Sequence, residues 1–400
     1  MALDTLRAAG WRGADRVLTA WGRANRYAGS GDRAAVADLV YDALRRRRSL
    51  GARLGVADPD GRALMLALAA EGDTAESGAA QGGVAGMGAA DGLFTGARFA
   101  PAPLTAQERA ALLASAPEPP EAVRLDLPDA IWPELRRSLG ADLGAVAALL
   151  QTRAAVDLRV NLLRADMPRA IAALAEDGVT AAPGPLSPTC LRVSLGARKL
   201  RSARAYLDGL TEVQDAASQA VADMARAAPG ETVLDYCAGG GGKALALAAA
   251  MGGRGRIIAH DRDPRRMRDL PARAARAGCT VEVLPGPPPL RLRGACDLVF
   301  VDAPCSGVGA WRRNPDAKWT LTWPEVEALA ALQRRLIAEA AAFVAPAGRL
   351  VYATCSMLRI ENEDALSAMP AGWTRGAMRR LTPLDGGDGF FAAVLHAPGS

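Results

Sequence analysis

Val233-Leu234-Asp235-Tyr236-Cys237-Ala238-Gly239-Gly240-Gly241-Gly242-Lys243 is an apolar run that ends near an acid and opens into four glycines. The apolar part has the character of a buried strand, and the residues after Lys243 read as a helix, so the stretch predicts a strand–loop–helix unit. Glycines lacking Cβ atoms let backbone approach a ligand closely, and the start of the following helix offers free N–H groups. The spacing is not the dinucleotide pattern G-x-G-x-x-G. It also fails as a nucleoside-triphosphate loop, because Ala244 stands where a Mg²⁺-binding Ser or Thr is required. A nucleoside-type ligand and a plain flexible turn both remain open for the loop alone.

Outward from this unit, strands and helices alternate to the end of the chain. Strands are expected at 232–236, 256–260, 280–284, 297–301 and 349–353, with a late strand at 389–395. That is the pattern of an α/β domain with a helix-covered parallel sheet. Upstream, a strand at 156–163, a helix at 168–177, a strand at 190–195 and a helix at 215–227 predict a small βαβ-like α+β subdomain. Residues 1–70 read as helical, with Val17, Ala20, Trp21 and Ala24, then Val36, Leu39, Val40 and Leu44, at helical spacing. The run Arg45-Arg46-Arg47-Arg48 follows. Residues 71–100 are rich in Gly and Ala, including Gly82-Gly83, and predict a flexible linker. The expected domains are 1–146, all helical with that linker, 147–215, α+β, and 216–400, α/β.

Composition narrows the chemistry. A chain of 400 residues, half of them hydrophobic, can bury more than one core. No charge-free apolar run reaches the ~18 residues that a membrane span needs, and the first ten residues carry no signal-type run. A cytoplasmic protein is expected. The six cysteines show no CxxC spacing, which argues against a disulfide framework and against a metal site. With only His260 and His396, histidine-based catalysis is nearly excluded. The net charge of +5 is arginine-based, and only Lys199, Lys243 and Lys318 are lysines. A lysine kept in so arginine-biased a chain can mark a place for a compact ammonium.

Three further stretches carry function. Ile257-Ile258-Ala259-His260-Asp261 ends a strand on an acid, roughly 20 residues past the glycine loop, where ribose hydroxyls are held in related architectures; a helix N-cap is the competing role. Asp297-Leu298-Val299-Phe300-Val301-Asp302-Ala303-Pro304-Cys305-Ser306 delivers an acid and a cysteine to the C-terminal edge of a strand. Gly348-Arg349-Leu350-Val351-Tyr352-Ala353-Thr354-Cys355-Ser356 delivers a second cysteine to the same edge. A lone cysteine is commonly a small buried hydrophobe; two at equivalent strand ends, each followed by Ser, point to chemistry.

These segments resemble the Sun/RsmB family of RNA cytosine-5 methyltransferases. The matching pieces are residues 235–243, 302–305 and 354–356 with Glu361-Asn362, and Asp388-Gly389-Phe390-Phe391. Arg159-Val160-Asn161, Gln214-Asp215-Ala216-Ala217-Ser218-Gln219, Arg312-Arg313-Asn314-Pro315-Asp316 and Lys318-Trp319 add to the likeness, which spans about 150–396. More loosely, the N-terminal part, with Ser30-Gly31-Asp32-Arg33, resembles a NusB-like RNA-binding domain. The resemblance implies a class I methyltransferase Rossmann-like sheet and S-adenosylmethionine as cofactor. It places the cofactor on Cys237, Ala238, Gly239, Gly240, Gly241, Gly242, Lys243, Asp261, Arg262 and Asp302. It makes Cys355 the nucleophile at cytosine C6, with Cys305 assisting release and Asp302 and Lys243 shaping the site. The implied partner is RNA, ribosomal RNA in particular, with no metal, no membrane and a monomeric chain. RNA contact is expected at Arg45-Arg46-Arg47-Arg48 and Trp311-Arg312-Arg313. Two features depart from the family. Gly239-Gly240 replaces its usual Ala-Pro, which predicts a looser loop, and Leu284-Pro285-Gly286 carries no acid where one commonly meets adenine. The competing readings are a DNA cytosine-5 methyltransferase using Cys305, and a non-catalytic RNA-binding or ribosome-assembly protein.

Overall fold

A computed structural model describes residues 1–77, 84–98, 100–114 and 117–399. The chain divides into two compact units. One comprises Met1–Pro133, Ala141–Arg153 and Trp311–Thr322; the other comprises Glu134–Gly140, Ala154–Ala310 and Trp323–Ser400. The α+β and Rossmann-like parts fall in one unit, and a short piece of late sequence falls in the helical one.

The helical unit is built on Leu6, Trp11, Leu44, Leu50, Leu64 and Leu66, all buried. Helices Gly61–Ser77 and Val84–Leu93 occupy much of the stretch expected as a flexible linker. Ala is the best helix former and offsets the glycine cost there, and Ala90 and Phe94 are buried. Residues 78–83, including Gly82-Gly83, lie outside the described residues.

The arginine run is half-buried, and each of its members is engaged within the helical unit. Arg45 donates to the Arg312 carbonyl at 2.9 and 2.8 Å. Arg46 pairs with Glu71. Arg47 lies between the rings of Trp11 and Trp319, 4.8 and 4.5 Å from their centroids, and burial lowers its pKa to about 10. Arg48 pairs with Asp129 at 2.8 Å. Trp311 and Arg312 are buried too. Residues 318 and 319 explain why the late segment belongs here. Lys318 Nζ donates to the Arg45 carbonyl at 2.7 Å, and Trp319 Nε1 to the Leu44 carbonyl at 2.6 Å. They satisfy carbonyls that the end of helix Ser30–Arg45 leaves without intrahelical partners.

The second unit holds two sheets. Strands β1 (Val156–Val160), β2 (Thr180–Pro183), β3 (Cys190–Leu195) and β4 (Thr211–Val213) pair antiparallel in the order β2-β3-β1-β4. With helix Met167–Glu176 between β1 and β2 they form a split βαβ unit. The larger sheet contains β5 (Thr232–Asp235), β6 (Arg256–Ala259), β7 (Glu282–Val283), β8 (Cys296–Asp302), β9 (Val344–Thr354), β10 (Thr374–Leu381) and β11 (Phe390–His396). Its order is β10-β11-β9-β8-β5-β6-β7; β7 to β9 are parallel, and β11 and β10 antiparallel. This is the expected Rossmann-like α/β fold. Alternate residues of each strand face opposite layers: Val233, Phe300 and Val351 pack with Val221 and Leu247, while Leu234, Val299 and Leu350 pack toward Ile337 and Ala340. Strand order reverses between β5 and β8, where open α/β sheets bind ligands.

Candidate active site

Parallel pairing of β8 with β9 sets Val301 against Tyr352 and Asp302 against Ala353. The two following loops therefore leave the sheet side by side, and Cys305 Sγ lies 3.3 Å from Cys355 Sγ. Both thiols are free and partly exposed. The contact with Cys355, reinforced by burial, holds the Cys305 thiol well above its ordinary pKa. At this distance either sulfur can donate S–H to the other.

The two cysteine loops share one buried support, Glu361-Asn362. Glu361 accepts the Ser306 N–H at 2.8 Å, the Ser306 hydroxyl and the Gln333 amide at 3.1 Å. Gln333 also donates to the Pro304 carbonyl at 2.9 Å. Asn362 accepts from the Thr354 hydroxyl at 2.6 Å and donates to the Ser356 carbonyl at 3.0 Å. Gln333 was missed at the sequence level, yet it is a polar residue on the buried stripe Val326, Ala330, Ile337, Ala340 of helix Trp323–Ala341. A lone amide on such a stripe signals a buried hydrogen-bonding task.

Lys243 opens helix Gly242–Ala250 and is buried. Its Nζ lies 2.5 Å from Asp302 Oδ2 and 5.3 Å from the Phe390 ring centroid. Burial acts to lower its pKa, but the Asp302 charge and hydrogen bond prevail and hold it above the ordinary value. Of the other lysines, Lys318 is buried at a helix end and Lys199 is exposed. The residues around Phe390 account for the Asp-Gly-Phe-Phe segment. The Gly389 N–H donates to the Gly309 carbonyl at 3.0 Å, and a Cβ on Gly309 would come within 1.9 Å of Gly389 O. Gly309 in turn donates its N–H to the Cys355 carbonyl.

The glycine loop lies beside these groups. Gly239 and Gly241 have φ of +52° and +82°, and a Cβ on Gly241 would come within 2.1 Å of Leu270. Asp261 accepts the Gly239 N–H and the Asp263 N–H, each at 2.9 Å, and pairs with Arg266 at 3.1 Å. The capping task falls to Asp263, which accepts from Arg265 N. Asp261 is left to tie β6 to the loop.

Gln214, Ser218, Asp235, Cys237–Gly240, Gly242, Lys243, Arg266, Arg273, Asp302, Cys305 and Cys355 border a cleft of about 540 Å³. A second hollow of about 460 Å³ continues past Cys237 and Pro304 to Asp261, Arg262, Leu332 and Leu336. The four catalytic candidates border the first hollow together with Cys237, Ala238, Gly239, Gly240 and Gly242; Asp261 and Arg262 border the second, and Gly241 packs on Leu270 instead. Asp235, Arg266, Arg273 and Gln333 are additions. Among the described residues no three-member His/Cys/Asp/Glu metal cluster occurs, and no helix is long and apolar enough to cross a membrane.

Residues 223–371 match the model of the 16S rRNA methyltransferase RsmB/F family, and 127–197 match the RsmF/B-like ferredoxin-like domain. The ribosomal RNA small subunit methyltransferase B of Xanthomonas campestris pv. campestris is 33% identical over 300 residues, 67% of each chain. The chain belongs to the RsmB/F methyltransferase family. A Synechocystis relative is 33% identical over 231 residues, 56% of this chain and 51% of its own length; the chain spans about half the length of several curated relatives it matches. In fold, the solved structure of PH0851 aligns at a TM-score of 0.73 with 23% identity, covering 98% of this chain and 97% of its own. NSun6 from Pyrococcus horikoshii, solved with SFG, aligns at 0.60 with 18% identity, covering 68% of this chain and 99% of its own.

Asp235, at the end of β5, is fully buried, and neither carboxylate oxygen completes a hydrogen bond among the described residues; the Ala244 N–H faces it without closing one. Burial, then the Asp302 charge, raises its pKa to about 7. A raised carboxyl pKa means that the folded chain holds a proton the unfolded chain has released. Its contribution is fully present below about pH 4 and is lost as pH rises to about 7. Asp235→Asn is therefore expected to flatten the fall in ligand-free stability between pH 5 and 7.5, by on the order of a few kcal/mol at most. Denaturant titrations of both proteins at the two pH values check this; parallel pH profiles would contradict it.

Proposed function

We propose that the chain transfers a methyl group from S-adenosylmethionine to C5 of a cytosine in RNA, ribosomal RNA in particular, through a transient Cys355–C6 bond. The observation that carries this reading is the pair of thiols 3.3 Å apart at one sheet edge, beside Lys243–Asp302 and the glycine loop. The residues fit the cofactor. The loop provides bare backbone and the N-terminus of a helix, and Asp235 is an orphaned buried carboxylate that a cationic ligand would satisfy. Asp261 and Arg262 border the outer hollow for the ribose side, and Pro304, Leu332 and Leu336 give it apolar walls that can take adenine without an acid. Bound there, S-adenosylmethionine supplies an electrophilic methyl group.

The chain's residues do the rest. Cytosine C5 is a weak nucleophile; attack of the Cys355 sulfur on C6 moves the ring electrons to C5 and lets it take the methyl group. Asp302, held by Lys243, faces the cleft and can hydrogen-bond the base edge. A base, which water in the open cleft can provide, takes the C5 proton; the C–H electron pair re-forms the C5–C6 double bond and expels Cys355 as a thiolate, to which the neighbouring Cys305 S–H can donate. The target base has to be unstacked or already unpaired to reach the thiols.

Arg45–Arg48 are each engaged within the helical unit, and a neighbouring face is proposed for the RNA contact. Arg12, Arg16, Arg23 and Arg26 are exposed along and beside helix Ala14–Ala24, with no ion pair to a described residue. Arg16 and Arg23, seven positions apart, share a helical face, and Tyr27 is exposed just beyond. This basic face with a neighbouring aromatic suits an RNA strand. Changing Arg16 and Arg23 together to Ala is expected to weaken RNA binding and to reduce the slope of log affinity against log salt by ~0.7–0.9 per lost phosphate contact. Unchanged slope and affinity would remove this face from the RNA contact.

The roles of the two thiols separate the RNA-type from the DNA-type mechanism. Cys355→Ala is expected to abolish methylation and any covalent complex. Cys305→Ala still adds to the ring but releases poorly, so RNA accumulates in a denaturant-stable band on a gel. Adding Cys355→Ala to that variant removes the band. A trapped complex in Cys355→Ala, absent in Cys305→Ala, would reverse the assignment.

A further inference from the structure

Four consecutive glycines should make a loose ligand loop, yet Gly240 is held from outside by one arginine. Arg273, on helix Leu270–Ala277, donates from Nη1 to the Gly240 carbonyl. Its other terminal nitrogen lies 3.2 Å from Glu212 on β4, and Glu212 also pairs with Arg276 at 2.6 Å. Glu212 is largely buried and is anchored in a paired strand, so the guanidinium is fixed at its far side. A Cβ on Gly240 would come within 3.0 Å of Arg273 Nη1. The arginine thus fills the space that a side chain at 240 would need, and it borders the cleft. At the next corner, Arg159 of β1 donates to the Gly242 carbonyl at 3.3 Å.

We propose that Arg273 is a positioning residue for the cofactor: it restrains the glycine loop from outside, in place of the stiffness that a side chain at Gly240 would give. The inference rests on the cofactor reading of this loop. Glycine loses more backbone freedom on ordering than other residues, so a loop already held when empty binds its ligand with less entropy to lose. Gly240 is not among the residues of positive φ, so the fixed negative φ of proline is not excluded there by sign. Proline at 240 and arginine at 273 compete for one space and supply the same restraint by different means.

The test uses the full chain and S-adenosylhomocysteine as titrant. Wild type is expected to bind. Arg273→Ala is expected to bind roughly three- to tenfold more weakly, the range of one charge-assisted hydrogen bond at a partly exposed site, with KM for S-adenosylmethionine raised and kcat little changed. In the empty protein, amide hydrogen exchange at 239–243 is expected to quicken in Arg273→Ala. Gly240→Pro added to Arg273→Ala is expected to recover most of the affinity and protection. Equal binding by wild type and Arg273→Ala would overturn the proposal. Loss without rescue would also overturn it, and would make Arg273 a direct ligand contact. No binding by wild type would overturn the cofactor reading on which it stands, while the exchange rates report the loop restraint separately.

Discussion

The register between β8 and β9 is the constraint on which the rest of the site depends. Pairing of Asp302 with Ala353 brings Cys305 and Cys355 together with no disulfide or metal. A one-residue slip would turn every side chain of a strand to its other face, moving Phe300 and Val351 out of one layer and Leu350 out of the other. Register is therefore fixed by the core, and the spacing of the two thiols follows from it. What the core cannot fix is the path of two short loops beyond the strands. Glu361, Asn362 and Gln333 do that by giving donors and acceptors to both loops from one place.

The charges nearby form a second dependency. Lys243 remains charged in a buried place because Asp302 is in contact with it, and Phe390 lies under the ammonium. Asp235 has no such partner and is half protonated near neutrality. A cationic group bound beside Asp235 would relieve the cost of its burial.

Much of this was legible in the sequence, for physical reasons. The central strands are continuous apolar runs because helices cover both faces, and the acid and cysteines sit where those runs stop. β10 was not legible: its residues Thr374–Leu381 include three arginines and a glycine and are mostly exposed, as an edge strand permits. β2 and β4 are too short to show a period. The surroundings of the arginine run were not legible because charge in a sequence does not reveal partners. Trp11, Glu71, Asp129 and the Arg312 carbonyl come from distant parts of the chain. Arg273 was hidden for the same reason, since only the fold places it over Gly240.

Paired thiols at this sheet edge are proposed to direct a methyl group to C5 of cytosine. The most direct measurement supplies the protein with methyl-labelled S-adenosylmethionine and small-subunit ribosomal RNA, then digests the RNA to nucleosides for mass spectrometry. Label is expected in 5-methylcytidine. Label confined to another nucleoside, or no transfer to RNA by a chain shown to bind the cofactor, would contradict it.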